Sequence, residues 1–334
     1  MNIYIDKTNL LSIIHSAKKD NFNDCMKMLK KFCNIFFTFS KNDIISLEMN
    51  DKQDIMQWLT QMSSGIVCDE KEHVKWDSAF PTRPIIMSSF NTEQLTSIYC
   101  LSKENDTKLL DQIKKGNLII ASEGQEVETL SSLFFEDFQF TKHIFYEISS
   151  WNDLEKYTSP CTDIIIVDPY LLSSPELYNY NIYSLIKVLS KRIKDSKLNI
   201  VIFTLNTQYD KNTKLNLEPD WDTIYSKIRK CAEKHTSFNV TFVTASKTTL
   251  QEHDRTIFTN YKFFTSGDTY NFFSSTGEIL TNGRNLYVHS NVSKTNAEIS
   301  KRFLKDMQKI IDRIKSKNNS SLIKKDKKCN FLKF

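Results

Sequence analysis

Residues 163–170 read Asp163-Ile164-Ile165-Ile166-Val167-Asp168-Pro169-Tyr170, an almost wholly apolar run stopped by an aspartate and a proline. A continuous apolar run of this length fits a strand buried on both faces. Working outward, Tyr183–Lys194 has helical spacing, with Ile186, Leu189 and Ile193 on one stripe. Asn199–Leu205 is a second apolar strand, and Trp221–Lys234 a second helix, with Ile224, Ile228 and Cys231 aligned. Phe238–Val243 is a third strand. Apolar strands alternating with helices predict an α/β fold, a parallel βαβαβ sheet over 163–168, 199–205 and 238–244 with both faces covered. Closer-spaced extended runs follow at Thr256–Thr259, Tyr261–Thr265 and Leu286–His289, then a helix from Asn296 to Ile314.

The first half reads as a mixed α/β region. Asn2–Ile5, Ile35–Phe39, Leu118–Ala121 and His143–Ile148 have strand character. Helical spacing appears from Thr8 (Leu10, Leu11, Ile14), over Asp24–Cys33 and over Asp54–Met62. His15, His73 and His143 have no neighbours at metal-ligand spacing, so no metal or cofactor is expected. The organisation expected is a region 1–150 of unassigned role, a domain over 160–314 and a basic tail over 315–334, the halves meeting near Ser149–Pro160.

Composition narrows the chemistry. A chain of 334 residues, 40% hydrophobic and 25% charged, suits two globular domains. Its six glycines form neither G-x-G-x-x-G nor G-x-x-x-x-G-K-[ST], which excludes phosphate loops of those kinds. The apolar runs Ile164–Val167 and Ile200–Phe203 are too short to span a bilayer. The start, MNIYID, lacks the pattern of a leader peptide. Seven scattered cysteines without a C-x-x-C point to reduced thiols and a cytoplasmic protein. The net charge is +5, and the tail holds seven lysines against the single Asp326. It reads either as a solvated, mobile end or as an arm for a polyanion.

Ligands of parallel sheets gather at the carboxyl ends of strands. Those ends are Asp168-Pro169-Tyr170, Asn206 and Ser246-Lys247. Further on stand His253-Asp254-Arg255, then Asn260 and Gly267. On an extended segment His253 and Arg255 project from one face. Arginine offers a charged fork for phosphate, and histidine offers a nucleophile, a proton or a donor.

This spacing resembles the signature of the phospholipase D superfamily, His-x-Lys, four residues, Asp, and a glycine about seven residues further. Arg255 and Asn260 depart from it in identity. A closer resemblance, over about residues 160–290, is to the phospholipase D-like domain at the C-terminus of MIT-domain proteins. There too a strand ends in Asp-Pro-Tyr and a His-Asp-Arg follows later, before a short strand, Asn and Gly. The first half does not resemble an MIT hairpin, so the membrane-trafficking context is not carried over.

The resemblance implies a phosphate site made by Asp168, Tyr170, His253, Arg255, Asn260 and Gly267. In its enzymes the histidine attacks phosphorus, the lysine clamps the phosphoryl oxygens and the aspartate supports the motif. His253, Arg255 and Asn260 would take these roles here. With one motif in the chain, catalysis requires a homodimer that pairs two copies of His253. The MIT-associated relatives are understood as binders, so the reading is a non-hydrolytic phosphate-binding domain. Its expected ligand is nucleic acid, with Lys247, Lys262, Lys324, Lys325, Lys327 and Lys328 as contacts and partner subunits of a bacterial defence or mobile-element system as context. Of the aromatics Phe258, Tyr261, Phe263, Phe264, Tyr270, Phe272 and Phe273, Phe258 and Phe263 are expected in the core and the others as core or base-stacking rings. The alternatives are a metal-independent phosphodiesterase or nuclease with His253 as nucleophile, and a phosphoinositide surface, for which no basic amphipathic helix speaks.

Overall fold

The computed structural model describes the chain except residues 17–28, 30–31, 64–92, 103–109, 112, 115–117, 136–138, 194–196, 211–214, 232–236, 248, 251–254 and 281–284. The expected helix over Asp24–Cys33 lies largely outside the described residues, and His73 and His253 lie wholly outside them. The chain divides into two units. The first comprises Met1–Lys114, Leu118–Gln139 and Val292–Lys294; the second includes Phe140–Asn291 and Thr295–Phe334. The second unit thus takes up the chain ahead of the change of pattern at Ser149–Pro160.

In the first unit β1 (Asn2–Ile5), β2 (Asn34–Phe37), β3 (Ile98–Cys100) and β4 (Ile120–Ala121) form one sheet in the order β2-β1-β3-β4, every pair parallel. Helices α1 (Lys7–Ser16), α2 (Lys41–Ile45), α3 (Met49–Ser63) and α4 (Glu126–Ser131) accompany it. Ile3 and Ile5 point to one face and are buried, as are Leu10 and Ile13 of α1 and Ile55 and Leu59 of α3. On the other face Tyr4 stacks between Phe36 and Tyr99, 5.2 Å from each. Asp6 ends β1 and starts α1, its Oδ1 accepting from both the backbone and side-chain amides of Asn9 at 2.8 Å. Such an N-terminal acceptor typically stabilises a helix by about 1 kcal/mol.

The second unit is built on an eight-stranded sheet. Its strands are β5 (Thr141–His143), β6 (Asp163–Val167), β7 (Lys197–Leu205), β10 (Ser237–Ala245), β11 (Arg255–Thr259), β12 (Lys262–Ser266), β13 (Leu286–Ser290) and β14 (Ile323–Lys325). Their order is β14-β10-β7-β6-β11-β12-β13-β5. A separate pair, β8 (Gln208–Asp210) and β9 (Leu215–Leu217), lies between β7 and the following helix. β6, β7 and β10 are parallel, as the three apolar runs predict, and the remaining pairs of the large sheet are antiparallel.

The crossovers carry α5 (Ser184–Leu189) and α6 (Trp221–Cys231), the latter packing Trp221 on Phe242. The opposite face is covered by α7 (Lys294–Ser316), whose Met307, Ile310, Ile311 and Ile314 share a core with Ile165, Val167, Val201 and Phe203. Each such buried side chain contributes roughly 1.5–3 kcal/mol before conformational entropy is counted.

Three segments differ from the sequence reading. The expected helix over Tyr183–Lys194 is only the short α5, entered through a π-helical turn at Asn179–Tyr183. There the Asn181 side chain bonds the backbone of Leu177 and, through both of its polar atoms, that of Phe273. The extended run expected over His143–Ile148 ends at His143. Ile144 makes the last ladder bond to Leu286, the first residue of β13, and the chain turns as a 3-10 helix at Phe145–Glu147.

The basic segment 315–334 is neither arm nor loose end. β14 pairs antiparallel with β10, Leu332 is buried, and Asn330 reaches into the unit. Lysine-rich sequence suggested solvent, but Lys324 pairs with Glu218 at 2.8 Å and Lys325 with Asp222, their ammonium groups lying over Trp221 and Tyr225. Among the described residues no helix is long and apolar enough to cross a membrane.

Candidate functional site

Where β6 stops, Pro169 cannot continue the ladder and Asp168 turns inward. Its buried carboxylate accepts from the backbone of Tyr170 (2.9 Å), from Thr269 Oγ1 (2.7 Å) and from the backbone of Tyr270 (2.7 Å). Burial pushes the Asp168 pKa up, while these donors and the Arg255 charge pull against it. Asp168 therefore fastens the loop after β12 to the end of β6. Asn271 adds a bond from Nδ2 to the Tyr170 carbonyl at 2.8 Å, and the Tyr270 hydroxyl bonds the Arg255 carbonyl at 3.0 Å.

This framework holds Arg255 at the start of β11. Its Nη1 donates to the Gly267 carbonyl at 3.2 Å, and its guanidinium lies 5.7 Å from the centre of the Tyr170 ring. Lys247, exposed just beyond β10, places its ammonium 5.9 Å from the same ring. Two cations, one from the end of β10 and one from the start of β11, thus lie within about 6 Å of the centre of one partly exposed ring, a cation–π arrangement. Asp268 borders the group, its Oδ1 accepting from the Thr269 backbone at 2.8 Å. A Cβ at Gly267 would meet nothing within 4 Å, so space alone does not require glycine there.

The structure brings Asp168, Tyr170, Arg255, Gly267 and Lys247 together. It does not bring Asn260 to them. Asn260 sits buried in the β11–β12 turn, at the other end of β11, about 17 Å along the strand at ~3.3 Å per residue. Its Oδ1 accepts from the Thr162 backbone (3.1 Å) and its Nδ2 donates to Thr162 Oγ1 (2.9 Å). Next to it stands the buried carboxylate of Asp163. An amide serves here where a second carboxylate would meet desolvation and like-charge repulsion.

Lys247 apart, the lysines expected to touch nucleic acid do not converge on the site. Lys262 is only 2% exposed, beside Asn260, and burial together with the Arg192 charge lowers its pKa to about 8. Lys324 and Lys325 are tied to acidic side chains. Lys327 and Lys328 are exposed but follow β14 toward the amino ends of the parallel strands, where Lys328 N–H donates to Thr241 Oγ1 and Asn330 bonds Asp163. The seven aromatics from Phe258 to Phe273 are all core; Phe272, for one, stacks on Trp151 at 5.1 Å. Burial leaves them no face for a base.

Thr269 and Asn271 are supporting residues the sequence reading missed. They contact the site only through the folded loop, and the turn at Gly267-Asp268 is the sole local signal of it.

No protein-family model matches the chain, and no curated protein is similar to it.

Proposed function

We propose that the second unit is a phospholipase D-like domain that binds phosphate without hydrolysing it, and that its ligand is nucleic acid. The observation that carries this reading is the convergence of Arg255 and Lys247 on Tyr170, at the carboxyl end of a parallel strand, where such sheets hold ligands. Asp168, whose charge couples to Arg255, is buried under three donors and faces inward. The guanidinium supplies a fork that fits phosphate oxygens, and the lysine a second charge. Asn260, withdrawn to the far end of β11 and committed to Thr162, takes no part in an acid–base apparatus at this site. A bacterial defence or mobile-element complex is the setting that the resemblance suggests.

The test is fluorescence anisotropy of the full chain with labelled single- and double-stranded DNA and RNA in EDTA, with gels of the same samples. Retention without cleavage is expected. Arg255→Ala should weaken retention by about 10-fold or more, the loss of one charge-assisted contact worth ~1.5–3 kcal/mol. Lys327→Ala and Lys328→Ala should each change it little. Equal losses at all three positions would remove the site from the reading, and EDTA-resistant cleavage abolished by His253→Ala would replace binding with catalysis.

A further inference from the structure

We propose that the rings of Tyr146, His143, Tyr287 and His289 form a stacking surface for unpaired bases, so that the nucleic acid this chain takes is single-stranded. The inference rests on the phosphate-site reading and deepens it.

Strand register builds the surface. Tyr287 lies opposite His143 of β5 and Thr265 of β12, and His289 lies opposite Thr141 and Phe263. With the two-residue period of a strand, all of these side chains stand on one face. That face is under α7 at β11, where Phe303 stacks on Phe258 at 6.2 Å. Toward β5 the helix has reached its amino end, and Asn296 bonds the Phe140 carbonyl at 3.0 Å. Beyond it the rings meet solvent: Tyr287 is 37% and Tyr146 87% exposed.

The rings are ordered in a series. Phe263 and His289 stack at 4.4 Å with planes 14° apart, His143 and Tyr287 lie at 4.7 Å, and Tyr146 stands edge-on to His143 at 5.3 Å. His289 is fixed in plane by Thr141 Oγ1 at one nitrogen (3.0 Å) and Thr265 Oγ1 at the other (2.9 Å). Burial lowers its pKa to about 4, which keeps the ring neutral at pH 7. Every base has a π-face, so the exposed rings of Tyr287 and Tyr146, set beside the fixed His289, accept bases without regard to sequence.

Two features select a polyanion as the occupant. On this face β5, β12 and β13 present Thr141, His143, Phe263, Thr265, Tyr287 and His289, with no carboxylate among them. The surface also lies just across the sheet rim from the phosphate site, the side chains of Arg255, Ser266 and Leu286 standing on the opposite face from Thr265 and Tyr287. Arg255 lies opposite Ser266 and Ser266 opposite Leu286, the neighbour of Tyr287. Two strand spacings, about 10 Å, separate Arg255 from Leu286 along the same rim of the sheet. A chain leaving Arg255 over that rim comes onto the rings. Duplex DNA keeps its bases stacked inside and gains nothing there.

The test compares a labelled oligothymidylate of about twelve nucleotides with an abasic phosphodiester of the same length and with a duplex. The full-length protein should bind the oligothymidylate about 10-fold or more tighter than either. Tyr287→Ala and Tyr146→Ala should each remove much of that preference and leave abasic binding unchanged, and Tyr287→Phe should retain it. Unfolding curves for each variant separate loss of a ring from loss of fold. If wild-type protein binds the abasic strand as well as the oligothymidylate, while Arg255→Ala weakens both, the stacking surface is refuted and the phosphate site stands. If wild-type protein binds none of the three, both fall.

Discussion

Asn330 hands both of its donors to Asp163: its backbone N–H reaches Oδ1 and its side-chain amide Oδ2, each at 2.8 Å. The same carboxylate accepts from Asn199 Nδ2 at 3.0 Å and Thr162 Oγ1 at 2.6 Å. A buried carboxylate at the start of the first central strand is thereby made the anchor of the C-terminal segment.

Removing the anchor should therefore cost more than removing any one of its partners. Asp163→Ala strands several buried donors at once and is expected to lower unfolding free energy by about 3 kcal/mol or more, at ~1–3 kcal/mol for each unsatisfied group. Asn330→Ala should cost about 1–2 kcal/mol. Urea unfolding followed by circular dichroism measures both. An Asp163→Ala protein as stable as wild type would show that the anchor is idle.

Asn260→Asp introduces the aspartate of the signature that this spacing resembles, yet it should destabilise this chain and leave nucleic-acid affinity unchanged. The new carboxylate would share a buried pocket with Asp163, which raises its folded pKa above the unfolded value of about 3.9. An acid whose pKa is raised on folding destabilises as pH climbs past the unfolded value. The deficit against wild type should be larger near about pH 7 than about pH 4, read from thermal midpoints at the two values. A deficit independent of pH would contradict it.

Lys262 works with the opposite sign. Its pKa falls from 10.5 in the unfolded chain to about 8 in the folded one. The unfolded state binds more protons between these values, so wild-type stability should rise with pH across that window, by about 3 kcal/mol at 1.36 kcal/mol per unit. Lys262→Met removes the titrating group. The stability difference between variant and wild type should drift across pH 8 to 10.5 and be flat below it. Parallel curves would mean that Lys262 is hydrated.

The glycines can be separated by substitution. Gly277 has φ +88°, and a Cβ there would stand 2.7 Å from the Tyr180 ring. Gly277→Ala should cost about 1–3 kcal/mol from the left-handed backbone alone. Gly267→Ala, open on all sides, should leave both stability and Arg255-dependent binding near wild type. A severe loss at Gly267 would show that the glycine matching the superfamily spacing is needed for another reason.

These contrasts show what was legible in the sequence. The three parallel strands were, because burial on both faces writes itself as unbroken apolar runs such as Ile164–Val167. The parallel pairing of the first unit's sheet was not: β3, three residues long, is too short for any period to show, and strand character at Asn2–Ile5, Ile35–Phe39 and Leu118–Ala121 does not fix strand direction. At the site, Asp168 and Tyr170 follow from chemistry at a strand's carboxyl end and Arg255 from the His253-x-Arg255 pair on an extended segment, and the structure brings the three together. Asn260 was found through spacing alone, which places residues along a strand without saying that both ends serve one ligand. The lysines of the last segment were read as solvated because their partners, Glu218 and Asp222, lie about a hundred positions earlier in the chain.

The late position of β14 has a consequence during synthesis. β10 ends at Ala245, and the strand that pairs with Thr241–Val243 at its outer edge begins only at Ile323. At about 5–20 residues per second the ribosome needs roughly 4–15 s to make the intervening chain. Through that interval a nine-residue strand shows an uncovered row of backbone donors and acceptors to neighbouring nascent chains. Yield of the folded protein should thus depend on translation speed between residues 246 and 323, with slow codons there favouring aggregation.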